Sequence, residues 1–316
     1  PKGLKNLRIS CMIDTEIFGG FFMGTIYMGI IMVFRVVQAL FNKRASNQVH
    51  GYTLPLQYTG IRQLMSAAMA LVLILIAGKG FCCDGKTVLI SVLSGSMLAL
   101  SSVCSLFAMK SGTIALSSLF GTAGLLVPTV AGIFLFHIPV QGMQWLGMLI
   151  FFVSAYLMIS GSKKVFGRFD LKTFLLLLGV LFGEGFTMLA QQMFTYYVPE
   201  GDVSVFSLLS FGIVGAVLLL CLPLVSKSSH EEVKPLPGTL WGYGIALSLA
   251  VFAINQFATL ATAIVPPVIL FTVINGGATI IAAVVGRVCF GEKLTPQSVF
   301  GIILGIGSMV MIKIFN

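Results

Sequence analysis

Acidic side chains are scarce in this sequence. Ten aspartates and glutamates stand among 316 residues, and even with 19 lysines and arginines the charged share is only 9%. A soluble domain carries nearer a quarter, so a water-facing globular fold is excluded for the bulk of the chain. The scarcity also thins the available chemistry. The aspartates (Asp14, Asp84, Asp170, Asp202) are isolated, and the three histidines (His50, His137, His230) fall in connections between apolar runs. Neither set converges as a metal-dependent or acid–base enzyme requires, so no catalytic residue is expected. Six cysteines occur, at 11, 82, 83, 104, 221 and 289, without CxxC spacing. Zinc takes about four ligands, so no metal, redox centre or other cofactor is expected. A secretory signal is missing too, because no short apolar core with a small-residue cleavage site follows the basic start. The polar stretch 1–16, "PKGLKNLRISCMIDTE", opens on Pro1 rather than Met. It reads as a fragment or a misread start, with Met12 a candidate beginning.

What the chain has in abundance is apolar length, 57% of residues being hydrophobic. Ten runs are long enough to cross a bilayer: 17–40, 54–77, 87–109, 113–136, 140–160, 173–195, 203–225, 240–261, 268–290 and 298–314. A helix needs about 20 residues to span ~30 Å of hydrocarbon, and nearly all of these have them. The third and fourth runs are almost continuous through "KSG" at Lys110–Gly112. The expected fold is therefore an all-α polytopic membrane protein. The formal charge of +9 comes from cations scattered over loops. These are bilayer-flanking residues rather than a nucleic-acid patch.

The two halves repeat. Shifted by 154 residues, "LSSLFGTAGLLVPTVAGIFLF" from Leu116 falls on "LFTVINGGATIIAAVVGRVCF" from Leu270 without a gap. Near the starts, a shift of 153 pairs Gln38 with Gln191. The halves are 17–160 and 173–316, five runs each, joined by a basic connector at 161–172. A copy entered after an odd number of crossings runs in the opposite sense. The expectation is thus ten transmembrane helices in two inverted-topology five-helix repeats, an arrangement that places a substrate site near the midplane.

Polar residues inside the runs are the candidates for that site. Glu184, in "LFGEGFT", lies about 16 Å from either end of its run at the helical rise. Too short to reach the boundary and too costly to leave in lipid, it should face the bundle interior. There it can bind a proton and exchange it for a cationic substrate, or serve packing alone. Gly183 and Gly185 leave room for a neighbouring backbone or a substrate. Arg35 lies about five residues from the end of its run, so it is expected to snorkel to the boundary; the alternative is a pair with Glu184. Arg62, early in the second run, reads still more plainly as a snorkelling side chain. Gln38, Gln191, Asn255, Gln256 and Asn275 either line a cavity or bond one helix to another. Pro128 and Pro266–Pro267 read as hinges, kinks or helix starts.

"FGEKLTPQSVFGIILGIGSMVMI", Phe290 to Ile312, resembles the closing hairpin of the EamA-type repeat of the drug/metabolite transporter (DMT) superfamily. The matching residues are Gly291, Glu292, Leu294, Thr295, Gly301 and Gly307, with Ile138 standing where the first repeat would carry the acid. The residues themselves suggest that Thr295 and Ser298 cap the last helix, that Glu292 sits at the membrane edge beside Lys293, and that Gly301 with Gly305 lets helices approach. The resemblance implies a secondary transporter of small organic metabolites or drugs, whose first, third, fourth, sixth, eighth and ninth spans line the cavity. It implies a monomer or homodimer in a bacterial plasma membrane, with cytoplasmic termini. The basic residues, eleven on the side facing away from the termini against six on theirs, point to the opposite orientation. The partners expected are a small-molecule substrate, a proton as coupling ion and the lipid bilayer. A flippase for lipid or sugar carriers, or a channel, of the same fold is the alternative.

Overall fold

The structure is a computed structural model. It describes the backbone of residues 2–78, 81, 83–111, 114–124, 126–135, 142–143, 145–147, 149–150, 153–154, 156–157, 160, 171–265 and 267–314, and most side chains from Met23 onward. In chain order the helices are α1 (Lys2–Gln48), α2 (Thr53–Ala77), α3 (Gly85–Ser111), α4 (Ile114–Ala123), α5 (Leu126–Leu135), α6 (Leu171–Tyr197), α7 (Val203–Ser229), α8 (Gly238–Thr262), α9 (Pro267–Phe290) and α10 (Pro296–Ile314). No strand occurs among the described residues. Among the described residues, six stretches are long and apolar enough to cross a membrane: Met23–Gln48, Thr53–Ala77, Gly85–Met109, Leu171–Tyr197, Val203–Ser229 and Gly238–Thr262. That is the make-up of a multi-pass integral membrane protein. Described residues between 142 and 160 are helical. The rest of the run expected there, and most of the 161–172 connector, lie outside the described residues.

Several boundaries differ from those the sequence suggested: α1 begins at Lys2 rather than 17, and α7 runs to Ser229 rather than 225. α1 does not stop at 40 but continues to Gln48, since no proline or tight turn interrupts "FNKRASNQ". The fourth run is not one helix. It breaks after Ala123, and Gly124 takes a turn, with its N–H bonded to the Gly121 carbonyl at 3.1 Å. Pro128 is not the kink. It sits in the first turn of α5, where the missing N–H costs no helical bond.

Helix ends are closed by specific groups. At α7, Asp202 accepts from Ser204 N at 2.7 Å. At α10, Thr295 Oγ1 accepts from Ser298 N at 3.2 Å, with Pro296 as first helical residue, the arrangement favoured at N-termini. The α2 N-terminus borrows its cap from far along the chain: Glu231 Oε2 accepts from Tyr52 N at 2.8 Å and Thr53 N at 3.1 Å. Between α9 and α10, Gly291 turns the chain with φ 61°. Glu292 then folds back over Gly286, where a Cβ would meet its Oε2 at 2.6 Å. Its side chain pairs with Lys43 of α1 at 3.1 Å, not with the adjacent Lys293. Ser154 donates to the Gly301 carbonyl at 2.7 Å and occupies the space a Cβ at Gly305 would need. Gly307, by contrast, meets nothing within 4 Å.

The packing has a pattern. α3 packs on α6 as α1 packs on α8, α3 on α7 as α2 on α8, and α4 on α6 as α1 on α9. α2 with α7, and α4 with α9, form the remaining central pairs. Exchanging α1, α2, α3 and α4 with α6, α7, α8 and α9 leaves this set of pairings unchanged. Buried clusters fill the contacts, as where Leu119, Phe120 and Leu177 join α4 to α6.

Candidate functional site

A cavity of about 120 Å³ opens where these pairs meet. Its walls come from α1 (Arg35, Gln38, Asn42), α3 (Ser101, Ser102, Ser105), α4 (Ser117, Ser118, Thr122), α6 (Glu184, Thr187, Gln191), α8 (Asn255) and α9 (Ala278, Ala282), and α2 adds Arg62. For an apolar chain this is a dense set of polar groups.

Glycines bring the walls together. At Gly183 a Cβ would stand 2.7 Å from both the Met97 carbonyl and the Ser101 N, so α3 and α6 touch backbone to backbone beside Glu184. On the other side a Gly185 Cβ would meet the Gly124 carbonyl at 2.6 Å, which seats the α4–α5 break against α6. The space these glycines leave is therefore filled by neighbouring chain, not kept for a ligand. The approach sets Ser101 against Glu184, and Ser101 Oγ donates to Glu184 Oε1 at 2.8 Å.

Neither arginine snorkels; both line the cavity. Arg62 is only 4% exposed. Thirteen further helical residues follow Arg35 to Gln48, so its depth is about 20 Å from that end at the helical rise. Arg35 Nη1 donates to Gln38 Oε1 at 2.9 Å. Among the described residues, Arg35 Nε and Arg62 Nε and Nη2 are buried without a hydrogen-bond partner. No direct ion pair joins Glu184 to either guanidinium group among the described residues. Two fixed cations and one carboxylate thus face one small space.

Amides extend the polar lining. Gln191 Nε2 donates to Asn255 Oδ1 at 3.0 Å, linking α6 to α8, and Asn255 Nδ2 donates to the Val251 carbonyl at 3.0 Å. Gln256 does not line the cavity. It turns to α7, accepting from Ser207 Oγ at 3.0 Å and donating to Ser204 Oγ at 3.1 Å, so it bonds helices together. Asn275 lies on α9, and its side chain is outside those described.

The hydroxyl lining was not anticipated. Serine and threonine satisfy themselves on the preceding helical turn, as Thr187 Oγ1 does on the Gly183 carbonyl at 2.8 Å. Such residues therefore carry little positional signal in a membrane helix. A signal existed nonetheless: Ser101 and Ser105 recur at i, i+4 on one α3 face, and Ser117 and Ser118 follow on α4.

No protein-family model and no curated protein matches this chain. One solved structure, described only as "Crystal structure of protein", superposes with a TM-score of 0.66 at 13% identity. The match covers 92% of this chain and 96% of that one. At such identity the likeness concerns the fold alone.

Proposed function

We propose that the chain is a secondary transporter of small organic molecules that works by alternating access, with the cavity holding Arg35, Arg62 and Glu184 as its substrate site. The observation that carries this reading is the convergence of three ionisable side chains on one cavity. Charges are expensive inside a membrane and are kept where cargo or ions must pass. The exchange relation among helix pairings supports two five-helix repeats of opposite sense. The split fourth helix then counts as one crossing and 142–160 as another, giving ten. In such a pair, swapping the conformations of the two halves turns one access state into the other. The EamA-like turn at Gly291–Thr295 agrees with this reading. Glu184 is the group through which a proton gradient would drive the cycle.

A single cysteine placed in the cavity tests the proposal. Asn255→Cys, in an otherwise cysteine-free chain, should react with a membrane-impermeant thiol reagent from either face, and a transported solute should protect it. Reaction from one face only, under every solute condition, would rule out alternating access.

A further inference from the structure

We infer that the cavity recognises a small water-soluble organic oxyanion, a carboxylate or phosphate group gripped by Arg62 and Arg35. The inference rests on the transport reading for its biological setting, but its chemistry stands on the side chains themselves. With Glu184 ionised, the two guanidinium groups leave one positive charge uncompensated in the cavity. Glu184 already spends Oε1 on Ser101 and makes no direct ion pair with either arginine among the described residues.

Arg62 is the decisive residue. Its backbone carbonyl accepts from Ser248 Oγ at 2.9 Å and Ser66 Oγ at 3.3 Å, which fixes its place between α2 and α8. The guanidinium then enters the cavity wall with Nε and Nη2 unmatched. Those two N–H groups form the edge that grips a carboxylate or phosphate with parallel hydrogen bonds. Buried donors of this kind are seldom left unmatched unless a ligand or water completes them. Arg35 lines the same cavity, and its Nε is likewise unmatched among the described residues. For the remainder of a ligand, Gln191 and Asn255 offer neutral polar contacts, which suit a hydroxylated body better than an acyl chain. That separates a soluble oxyanion from a lipid phosphate, although both present the same group to arginine.

The test is thermal unfolding of the full-length purified protein with inorganic phosphate, succinate, tetraethylammonium or a short-chain phosphatidic acid, at matched ionic strength. Phosphate or succinate should raise Tm, and tetraethylammonium should not. Arg62→Gln should weaken the apparent affinity about tenfold or more. Arg62→Lys should retain part of the effect, since it keeps the charge and loses the paired donors. Arg35→Gln provides a second, independent loss, and Ser204→Ala, outside the cavity, should leave the shift intact. The inference is overturned if only the cation or only the phosphatidic acid stabilises, or if the anion shift survives unchanged in both arginine variants. The two proposals fail separately. Oxyanion stabilisation without any solute exchange would remove the transport reading and leave this one. Exchange of cationic or neutral solutes with no oxyanion effect would do the reverse.

Discussion

Lys43 and Glu292 meet at 3.1 Å, with side chains only 12% and 8% exposed, and Lys43 Nζ also donates to the Met109 carbonyl at 3.0 Å. One ammonium thereby holds the end of α1, the end of α3 and the α9–α10 turn together. Asn42 and Met109, which flank this junction, are also cavity residues, so the pair closes one end of the site. Removing one partner of a buried ion pair is costly, because the other charge keeps its desolvation penalty and loses this contact. Lys43→Met should therefore lower stability by about 3 kcal/mol, measured by chemical unfolding in detergent. The double variant Lys43→Met/Glu292→Met should recover most of that loss. Equal stability for Lys43→Met and the parent would show the pair to be idle.

A second prediction concerns pH. The Glu231 carboxylate is held below the ordinary glutamate range, chiefly by the Tyr52 N–H and then the Thr53 N–H at the α2 N-terminus. A lowered value stabilises the fold while the group is ionised. The contribution should be fully present above about pH 5 and lost as pH falls through the range below about 4.3. Glu231→Gln should have a lower Tm than the parent at neutral pH, and the gap should close on acidification. A gap that is constant with pH would mean that the cap does not depend on the charge.

Backbone contact at Gly183 gives a third. Gly183→Val must push against the Met97 carbonyl and Ser101 N, neither of which can move without shifting α3. The expected loss is about 1–3 kcal/mol, with the Ser101–Glu184 bond disturbed. Gly29→Ala is the contrast, because nothing described lies within 4 Å of its Cβ position. That substitution should be neutral or slightly stabilising, as alanine favours helix. Both effects can be read from Tm.

How far the sequence alone reached can be judged residue by residue. Glu184 reads as interior because its depth leaves no other tolerable position, and depth is a property of run length. Arg35 and Arg62 depart from the boundary position expected of them: both line the cavity, Arg62 although α2 has nearly the expected bounds. Hydropathy puts the end of α1 near Leu40, but "FNKRASNQ" stays helical to Gln48. Asn255 and Gln256 are adjacent, and successive helical residues point about 100° apart. They therefore face different neighbours, and only packing decides which one reaches the cavity. The α4–α5 break is set by Gly124 against Gly185, a contact between distant segments that local breaker rules cannot see. The co-linear offset suggested two repeats, and the pairings described among α1–α4 and α6–α9 are unchanged when those two sets are exchanged.

Glu184→Gln separates coupling from folding. The variant keeps an acceptor for Ser101 Oγ, so it should remain monodisperse with a Tm close to the parent's. If Glu184 carries the proton, uptake driven by a pH gradient should be abolished while exchange of solute across the membrane persists. Unchanged gradient-driven uptake would reduce Glu184 to a packing residue.

Counterflow tests the central claim most directly. Proteoliposomes holding the purified protein are loaded with an excess of an unlabelled solute that stabilises it, then diluted into a trace of the labelled form. A carrier alternating around the Arg35–Arg62–Glu184 cavity predicts transient accumulation of label above its equilibrium level, lost in Arg62→Gln. Simple equilibration without overshoot, unaffected by that substitution, would contradict it.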